Sequence, residues 1–315
     1  MKILLTGATG FIGRKLALRL SKEGHELVIL TRNAKRASLQ LGSLCQAVSC
    51  DLMQGPPPLT AFTGIDAVIH LAGETIAGRW TKDQKKKIHD SRVIGTQNLV
   101  KAFKAPGIKA PALFIAPSAI GFYGDRGDEV LSEDSTSGRG FLAEVCRDWE
   151  AETEKAAGAK TRVAILRLGM VLGPGGGALA QMLMPFSVGL GAKVGSGKQW
   201  MSWVHIDNVV DAFSFALKNT QVTGPVNVVA PHPVTNYEFT RTLATVLKKK
   251  ARLTLPAPLL RLALGEMADL LLSSSRVRPT KLDSLGFTFS YATLFEALTQ
   301  ICSDSGANSS IRATA

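Results

Sequence analysis

The segment Thr6-Gly7-Ala8-Thr9-Gly10-Phe11-Ile12-Gly13 is the first place where residue types and spacing suggest chemistry. A dinucleotide pyrophosphate needs a main chain it can approach closely and free N–H donors at the start of a helix. Three glycines at intervals of three meet both needs. Gly7 permits a tight turn, Gly10 a close approach, and Gly13 the packing of helix on strand, with Thr9, Phe11 and Ile12 in the same turn. The spacing is GxxGxxG rather than GxGxxG. It gains meaning from the apolar strand before it, the helical pattern after it and a second strand at the right distance. The alternative is a purely structural turn.

The end of that second strand bears on which dinucleotide. A site for NAD places a carboxylate there to bond the ribose 2′-hydroxyl. This chain has Thr31-Arg32-Asn33, followed by Lys35 and Arg36, and no acid. The planar fork of Arg32 can pair with a 2′-phosphate, and the Thr31 hydroxyl can donate to it. The expected cofactor is therefore NADP(H); the alternative is a solvated basic turn.

These residues must be positioned by strands alternating with helices. Ile3-Leu4-Leu5, Glu26 to Thr31, Ala67 to Leu71, Leu113 to Ala116 and Val163 to Leu166 are apolar runs without alternation. Ile12, Leu16 and Leu20 fall at helical spacing before Gly24, as do Val93, Gln97, Val100 and Phe103. The pattern predicts an α/β, doubly wound parallel sheet covered on both faces, the Rossmann arrangement. Further on, Gly173 to Gly177 reads as a loop, Val204-His205-Ile206 as a short strand and Val226 to Val229 as another. Thr235 and Glu238 form a capping box opening a helix. The stretch Leu253 to Leu272 reads as a core-facing helix, too rich in charge and proline to span a membrane. The expected organisation is a nucleotide-binding domain over 1–235, with substrate-region segments interleaved from about 170. A small helical module follows over 250–301, and a polar tail over 303–315 that frays.

Lys plus Arg number 37 and Asp plus Glu 25, a net charge of +12. The cations are scattered, or sit in two short runs, Lys85 to Lys87 and Lys248 to Lys250, near helix ends. No nucleic-acid motif accompanies them, so neither nucleic acid nor membrane is the expected partner. Cys45, Cys50, Cys146 and Cys302 show no CxxC spacing and no histidine pattern. Metal chemistry is not expected, and reduced thiols in the cytoplasm are. The chain enters a strand at Lys2, with no signal or transit segment expected ahead of it.

Taken together, TGATGFIG, His70-Leu71-Ala72-Gly73-Glu74 and Arg92 to Leu99 resemble the extended short-chain dehydrogenase/reductases. SAIGFYG (118–124), FLAEVCRDWE (141–150), LRLGMVLGPGGG (166–177) and WVHIDN (203–208) resemble the atypical branch called epimerase family proteins, which is nucleoside-diphosphate-sugar epimerase-like. The likeness runs over nearly the whole chain, including the short C-terminal module. It implies that Asp51 and Leu52 meet the adenine, and that Leu71, Ala72 and Gly73 lie beside the adenosine ribose and pyrophosphate. It also implies that Arg92 stands where many members carry a cofactor-facing Asn, that Ser118 lies near the nicotinamide, and that Arg167 faces the cofactor side. Asp51 could equally cap a turn, and Arg92 be a surface cation.

The superfamily reaction uses a Tyr and, four residues on, a Lys, so that a phenolate moves a proton while hydride moves to or from nicotinamide. Near 141–150 the pairs at that spacing are Phe141 with Val145 and Leu142 with Cys146; neither register holds an acid or base. The hydroxyl expected four residues before Tyr123 falls on Ala119, with Ser118 one residue off. Weak candidates for chemistry are Glu74, Ser118 and Tyr123; Glu144, His205 and Asp207 are further titratable groups. Trp200, Met201 and Trp203 are candidates for an apolar wall. Two readings follow. One is an NADP(H)-dependent oxidoreductase or epimerase-like enzyme acting on a small molecule. The other is a non-catalytic NADPH-binding sensor or interaction protein, for which relatives described as acting in cell or plastid division give a resemblance-based precedent. An RNA-associated protein, resting on charge alone, is the weakest.

Overall fold

The computed structural model describes residues 1–312. Seven parallel strands form its centre: β1 (Lys2–Thr6), β2 (Glu26–Thr31), β3 (Cys45–Ser49), β4 (Ala67–His70), β5 (Leu113–Ala119), β6 (Arg162–Leu168) and β7 (Gly224–Val228). Their order is β7-β6-β5-β4-β1-β2-β3. Leu5 pairs with Ile29 on one side and Ile69 on the other. Successive side chains leave opposite faces, so each strand feeds two cores. Ile3, Leu5, Ile29 and Ile115 enter one; Leu4, Val28, Val68 and Phe114 enter the other. This is why the strands read as unbroken apolar runs.

Helices α1 (Phe11–Lys22), α2 (Ala34–Leu41), α3 (Lys82–Phe103) and α4 (Phe141–Glu154) connect the early strands. α1 buries Gly13, Leu16, Ala17 and Leu20 at helical spacing, and the chain turns at Gly24, whose φ is 81°. α3 buries Leu99, Val100 and Phe103 against the opposite face. Strand order reverses between β1 and β4. In an open parallel sheet that switch opens a crevice at the carboxyl ends of the strands.

The second half contributes α5 (Gly177–Ser187), α6 (Ile206–Lys218) and α7 (Asn236–Val246). α7 begins with the expected capping box of Thr235 and Glu238. Leu172, Leu179, Trp203, Phe239, Leu243 and Leu298 form a third core. Val204 and His205 are strand as expected, but Ile206 opens α6. The segment from 250 is stitched into the rest: Arg276–Val277 pairs with Val130–Leu131, and Leu282 joins the first core.

Two stretches differ from expectation. Leu253 to Leu272 is a short strand, Leu253–Leu255, then two short helices, Ala257–Leu264 and Ala268–Leu272. Leu259, Leu262, Leu270 and Leu271 are exposed there, so it is not a core-facing helix. Lys85 to Lys87 lie near a helix end as expected, in the first turns of α3, where the helix field opposes cations; Lys85 is held by Glu266 and Lys86 by Asp90. The last helix, Leu294–Arg312, carries the main chain well past Ser303, where a frayed tail was expected; 313–315 lie outside the described residues. Among the described residues no helix is long and apolar enough to cross a membrane.

Candidate functional site

The glycine turn sits at the switch in strand order. Gly7 has φ 69°, and a Cβ there would lie 2.6 Å from the Leu71 carbonyl at the end of β4. A Cβ at Gly13 would run into the Gly7 carbonyl oxygen and lie 2.8 Å from the Ala8 Cα. Both glycines are therefore fixed by backbone packing. Gly10 is the residue preceding α1, and a Cβ there would meet only the Gly7 oxygen, at 3.2 Å. Its freedom lies toward the open side, where Thr9 and Gly10 are exposed. No side chain caps this end of α1 and its first turn has no acid. The N–H groups of Phe11, Ile12 and Gly13 belong to the turn that has no intrahelical acceptor. This is a cradle for an anion.

Phe11 plays a part that the sequence did not suggest. Side chains at Gly176, Gly173 and Gly177 would come within 2.5, 3.0 and 3.2 Å of its ring. The second glycine-rich loop is glycine-rich because it lies against that ring.

Next to the cradle, Arg32, Lys35 and Arg36 are exposed and make no ion pair among the described residues. Asn33 caps α2, accepting from the Arg36 N–H at 2.9 Å. No acid stands at the end of β2. Asp51 accepts from the Met53 N–H at 3.0 Å, so it does cap a turn while remaining half-buried. The Leu52 carbonyl is held by Asn98 at 2.8 Å. Leu71, Ala72 and Gly73 leave β4 beside Gly7, and the Ala72 N–H donates to Thr6 Oγ1 at 3.0 Å. Thr6 Oγ1 also lies 2.7 Å from His70 Nδ1. A hydroxyl can accept twice, so the imidazole tautomer sets which of the two donates. Nε2 is buried without a partner, as is Thr96 Oγ1 on α3. Complete burial, and then the charge of Arg92, hold His70 down to about 4.

Arg92 is half-buried rather than a free surface cation. Its Nη1 donates to the carbonyls of Glu74 and Ile88, each at 3.0 Å, and its guanidinium lies over the Trp149 indole. Glu74 is half-exposed, and its N–H donates to Ser91 Oγ at 2.9 Å.

Arg167 is 3% exposed and gives Nε and Nη2 to the two oxygens of Glu150 at 2.9 and 2.8 Å. Its Nη1 donates to Tyr123 Oη at 2.9 Å, and the guanidinium stacks on Phe122 at 3.6 Å. Tyr123 is fully buried and donates to Asn227 Oδ1 at 2.7 Å; burial pushes its phenol up against the pull of Arg167. Ser118 is buried and donates to Glu150 Oε1 at 2.6 Å. Both hydroxyls are therefore held within one buried network, and neither reaches an open cleft. On α4, Leu142 and Cys146 are the residues that face Gly121 beyond β5, while Phe141 and Val145 pack with Trp80. Burial and the neighbouring Glu150 push the Cys146 thiol up to about 11.

Other candidates are also structural. His205 is the residue that caps α6, accepting from the Asp207 N–H at 3.1 Å, and it bonds Gln300 at 2.9 Å. Asp207 pairs with Lys15. Trp203 lies wholly in the core, whereas Trp200 is half-buried and bonds Asp128 at 2.8 Å. Met201 is half-buried and packs on the third core. Glu144 is exposed.

The sequence profile of the NAD-dependent epimerase/dehydratase family matches residues 3–229. The chain belongs to that family. A domain of unknown function, DUF1731, matches 255–301. The chain is 37% identical over 302 residues to the chloroplastic epimerase family protein SDR39U1 homologue of Arabidopsis thaliana, covering 96% of this chain and 86% of that one. It is 35% identical over 305 residues to epimerase family protein YfhF of Bacillus subtilis, covering 96% and 99%. Among solved structures it is similar to human epimerase family protein SDR39U1 (isoform 2) with NADPH. That match has a TM-score of 0.84 and 32% identity, over 96% of this chain and all of that one.

Within this epimerase/dehydratase fold, sequence reading missed Glu150, Asn227 and Glu133. Glu133 accepts from the Asn227 N–H at 3.0 Å and completes the buried network. One signal was available. An arginine inside the apolar run Ile165-Leu166-Arg167-Leu168 needs a buried carboxylate, and of the five acids on the helix before it only Glu150 is buried.

Proposed function

We propose that this chain is an NADP(H)-binding member of the epimerase/dehydratase family, an atypical short-chain dehydrogenase/reductase acting without a Tyr-x-x-x-Lys pair. The cofactor pyrophosphate would lie on the first turn of α1, against Gly7, Thr9, Gly10, Phe11, Ile12 and Gly13. Asp51 and Leu52 would border the adenine, and Leu71, Ala72 and Gly73 the adenosine ribose and pyrophosphate. When bound, the nicotinamide supplies hydride acceptance or donation. The residues here bind and orient it.

One observation carries the choice of NADP(H): three exposed cations, Arg32 just after β2 and Lys35 and Arg36 in the first turn of α2, make no ion pair among the described residues and have no carboxylate among them. A charge-assisted hydrogen bond to a 2′-phosphate contributes about 1.5–3 kcal/mol. One such bond corresponds to roughly tenfold or more in affinity. Calorimetric titration should show NADPH bound at least about tenfold tighter than NADH, with much of that ratio lost in Arg32→Ala. Equal affinities in the wild-type protein would overturn the assignment. That human SDR39U1 is described with NADPH supports the same reading.

The substrate-facing chemistry supports two readings. An oxidoreductase or epimerase-like enzyme needs a proton donor other than Tyr123. A non-catalytic NADPH-binding sensor or interaction protein, for example in cell division, is favoured by the locked hydroxyls of Ser118 and Tyr123. Incubating the NADPH-loaded protein with carbonyl compounds and sugar nucleotides, while following absorbance of the reduced cofactor, separates them. Turnover supports the enzyme; tight binding without turnover supports the sensor.

A further inference from the structure

Six large apolar side chains stand in water in the second half of the chain. Met184, Val188 and Leu190 come from the end of α5 and the turn after it, and Leu253, Leu259 and Leu262 from the segment that follows α7. A short parallel ribbon holds the two groups together, since Ala192–Val194 pairs with Leu253–Leu255. The two strands run the same way, so the residues leading into them, Val188 to Leu190 and Lys248 to Arg252, arrive at the same end. The helix Ala257–Leu264 leaves at the other end, with Leu259 and Leu262 three residues apart on one face. Exposed apolar residues that are grouped mark interaction surfaces, where single ones do not.

The two edges of the ribbon differ. Along Ala192–Val194 the outer edge is closed: the Val194 N–H donates to Asn236 Oδ1 at 2.8 Å, and its carbonyl accepts from Gln199 Nε2 at 3.1 Å. Along Leu253–Leu255 the outer edge is open. The Leu255 carbonyl accepts from the Gly195 N–H at 2.9 Å, so Leu253 and Leu255 turn their main-chain groups inward. These groups alternate along a strand, so Thr254 turns its N–H and carbonyl outward, and no further strand pairs there among the described residues. Pro256 has no N–H and gives its carbonyl to Leu260, which limits the open stretch to 252–254.

The charge of the region narrows what would lie on it. Lys248, Lys249, Lys250 and Arg252 are exposed and make no ion pair among the described residues. The two acids within 248–272 are already matched, Glu266 by Lys85 and Asp269 by Arg261. A second copy of this chain would bring like cations together across a two-fold contact. A nucleic acid would leave the leucines in water, and a lipid surface would leave the strand edge unpaired. An extended protein segment that carries apolar side chains and carboxylates answers the edge, the leucines and the cations together.

We propose that this ribbon, with the apolar and basic residues around it, is a docking surface for an extended acidic and apolar segment of a partner protein, added as a short strand on the outer edge of Leu253–Leu255. The proposal stands apart from the NADP(H) reading and does not depend on it.

The test uses the full chain and two short fluorescein-labelled peptides, followed by fluorescence polarisation. One peptide is built of leucine, serine and glutamate; the other has lysine for each glutamate. The acidic peptide should bind at least about tenfold tighter than the basic one, and lose about tenfold or more between low salt and about 0.5 M salt. Leu262→Asp, Thr254→Pro, which removes the outward N–H, and the pair Lys249→Glu with Lys250→Glu should each weaken it at least about tenfold. Lys248 has φ 54° at a helix end where glycine is usual, so Lys248→Gly should weaken binding without lowering Tm. Leu39→Asp, at an exposed leucine on α2, should change neither. Failure of the acidic peptide to bind, or equal affinity for the two peptides, would overturn the proposal. So would binding that Leu262→Asp and the lysine pair leave unchanged. Flotation with phosphatidylserine vesicles, or a dimer in sedimentation, that Leu262→Asp abolishes while the acidic peptide does not bind would overturn it in favour of lipid or a second copy.

Discussion

Replacing Glu150 by Gln tests the buried network most directly. The change alters almost no volume, but it sets an amide N–H₂ or a neutral oxygen against the fork of Arg167 and leaves that guanidinium without a counter-charge. The side chains are 3% and 7% exposed, so solvent cannot compensate. Removing one partner of a buried pair typically costs about 3–5 kcal/mol. The Ser118 hydroxyl, which donates to Glu150 Oε1 at 2.6 Å, then bonds a neutral acceptor and loses roughly a further 1 kcal/mol. Against a total stability of about 5–15 kcal/mol, Glu150→Gln should be folded but close to the edge. Urea unfolding should show a loss of about 4–6 kcal/mol with an unchanged slope. The pair Glu150→Leu with Arg167→Met removes both charges, and it should recover to within about 2 kcal/mol of wild type. A cost under about 1 kcal/mol for Glu150→Gln would refute the argument. So would a double variant as unstable as the sum of its single changes.

His70 offers a pH test. Its folded value, about 4, lies below the unfolded value of about 6.5, so between these pH values the unfolded chain binds the extra proton and stability falls as pH is lowered. The drop should reach about 3 kcal/mol at pH 4, and His70→Gln should remove most of it. An unchanged pH slope in the variant would show that other groups carry the acid sensitivity. At Gly13, Ala would ordinarily raise helix stability by about 1 kcal/mol, but its Cβ meets the Gly7 main chain. Gly13→Ala should therefore lose at least about 1–2 kcal/mol in denaturant unfolding and weaken NADPH binding; a stabilised variant with normal affinity would show that the turn relaxes freely.

What could be read from sequence followed from how locally each feature is encoded. The glycine turn is legible because strand, turn and helix lie within about twenty consecutive residues, and each glycine has a steric reason. The parallel sheet is legible because burial on both faces removes alternation. β3, with its half-buried and exposed residues, has no such run and escaped notice. The pairing of Arg167 was not legible because its partner lies 17 positions earlier on a helix, and nothing local announces it. The reading of Leu253 to Leu272 failed for a different reason. Hydrophobic content suggested burial, yet Leu262 is 76% exposed on a helix of only two turns.

The contact between Phe11 and the loop 173–177 ties together two parts of the chain that sequence treats separately. The aromatic ring that opens α1 is also the floor on which α5 begins. Position 11 and the three glycines at 173, 176 and 177 thus behave as a single unit of interchange. A chimera that imported a relative's first β-α-β segment with a small residue at 11 would leave the start of α5 unsupported. One that imported a bulkier 173–177 loop would press on the turn meant for the pyrophosphate. Grafting between members of this fold should therefore take the two glycine-rich segments as a matched set.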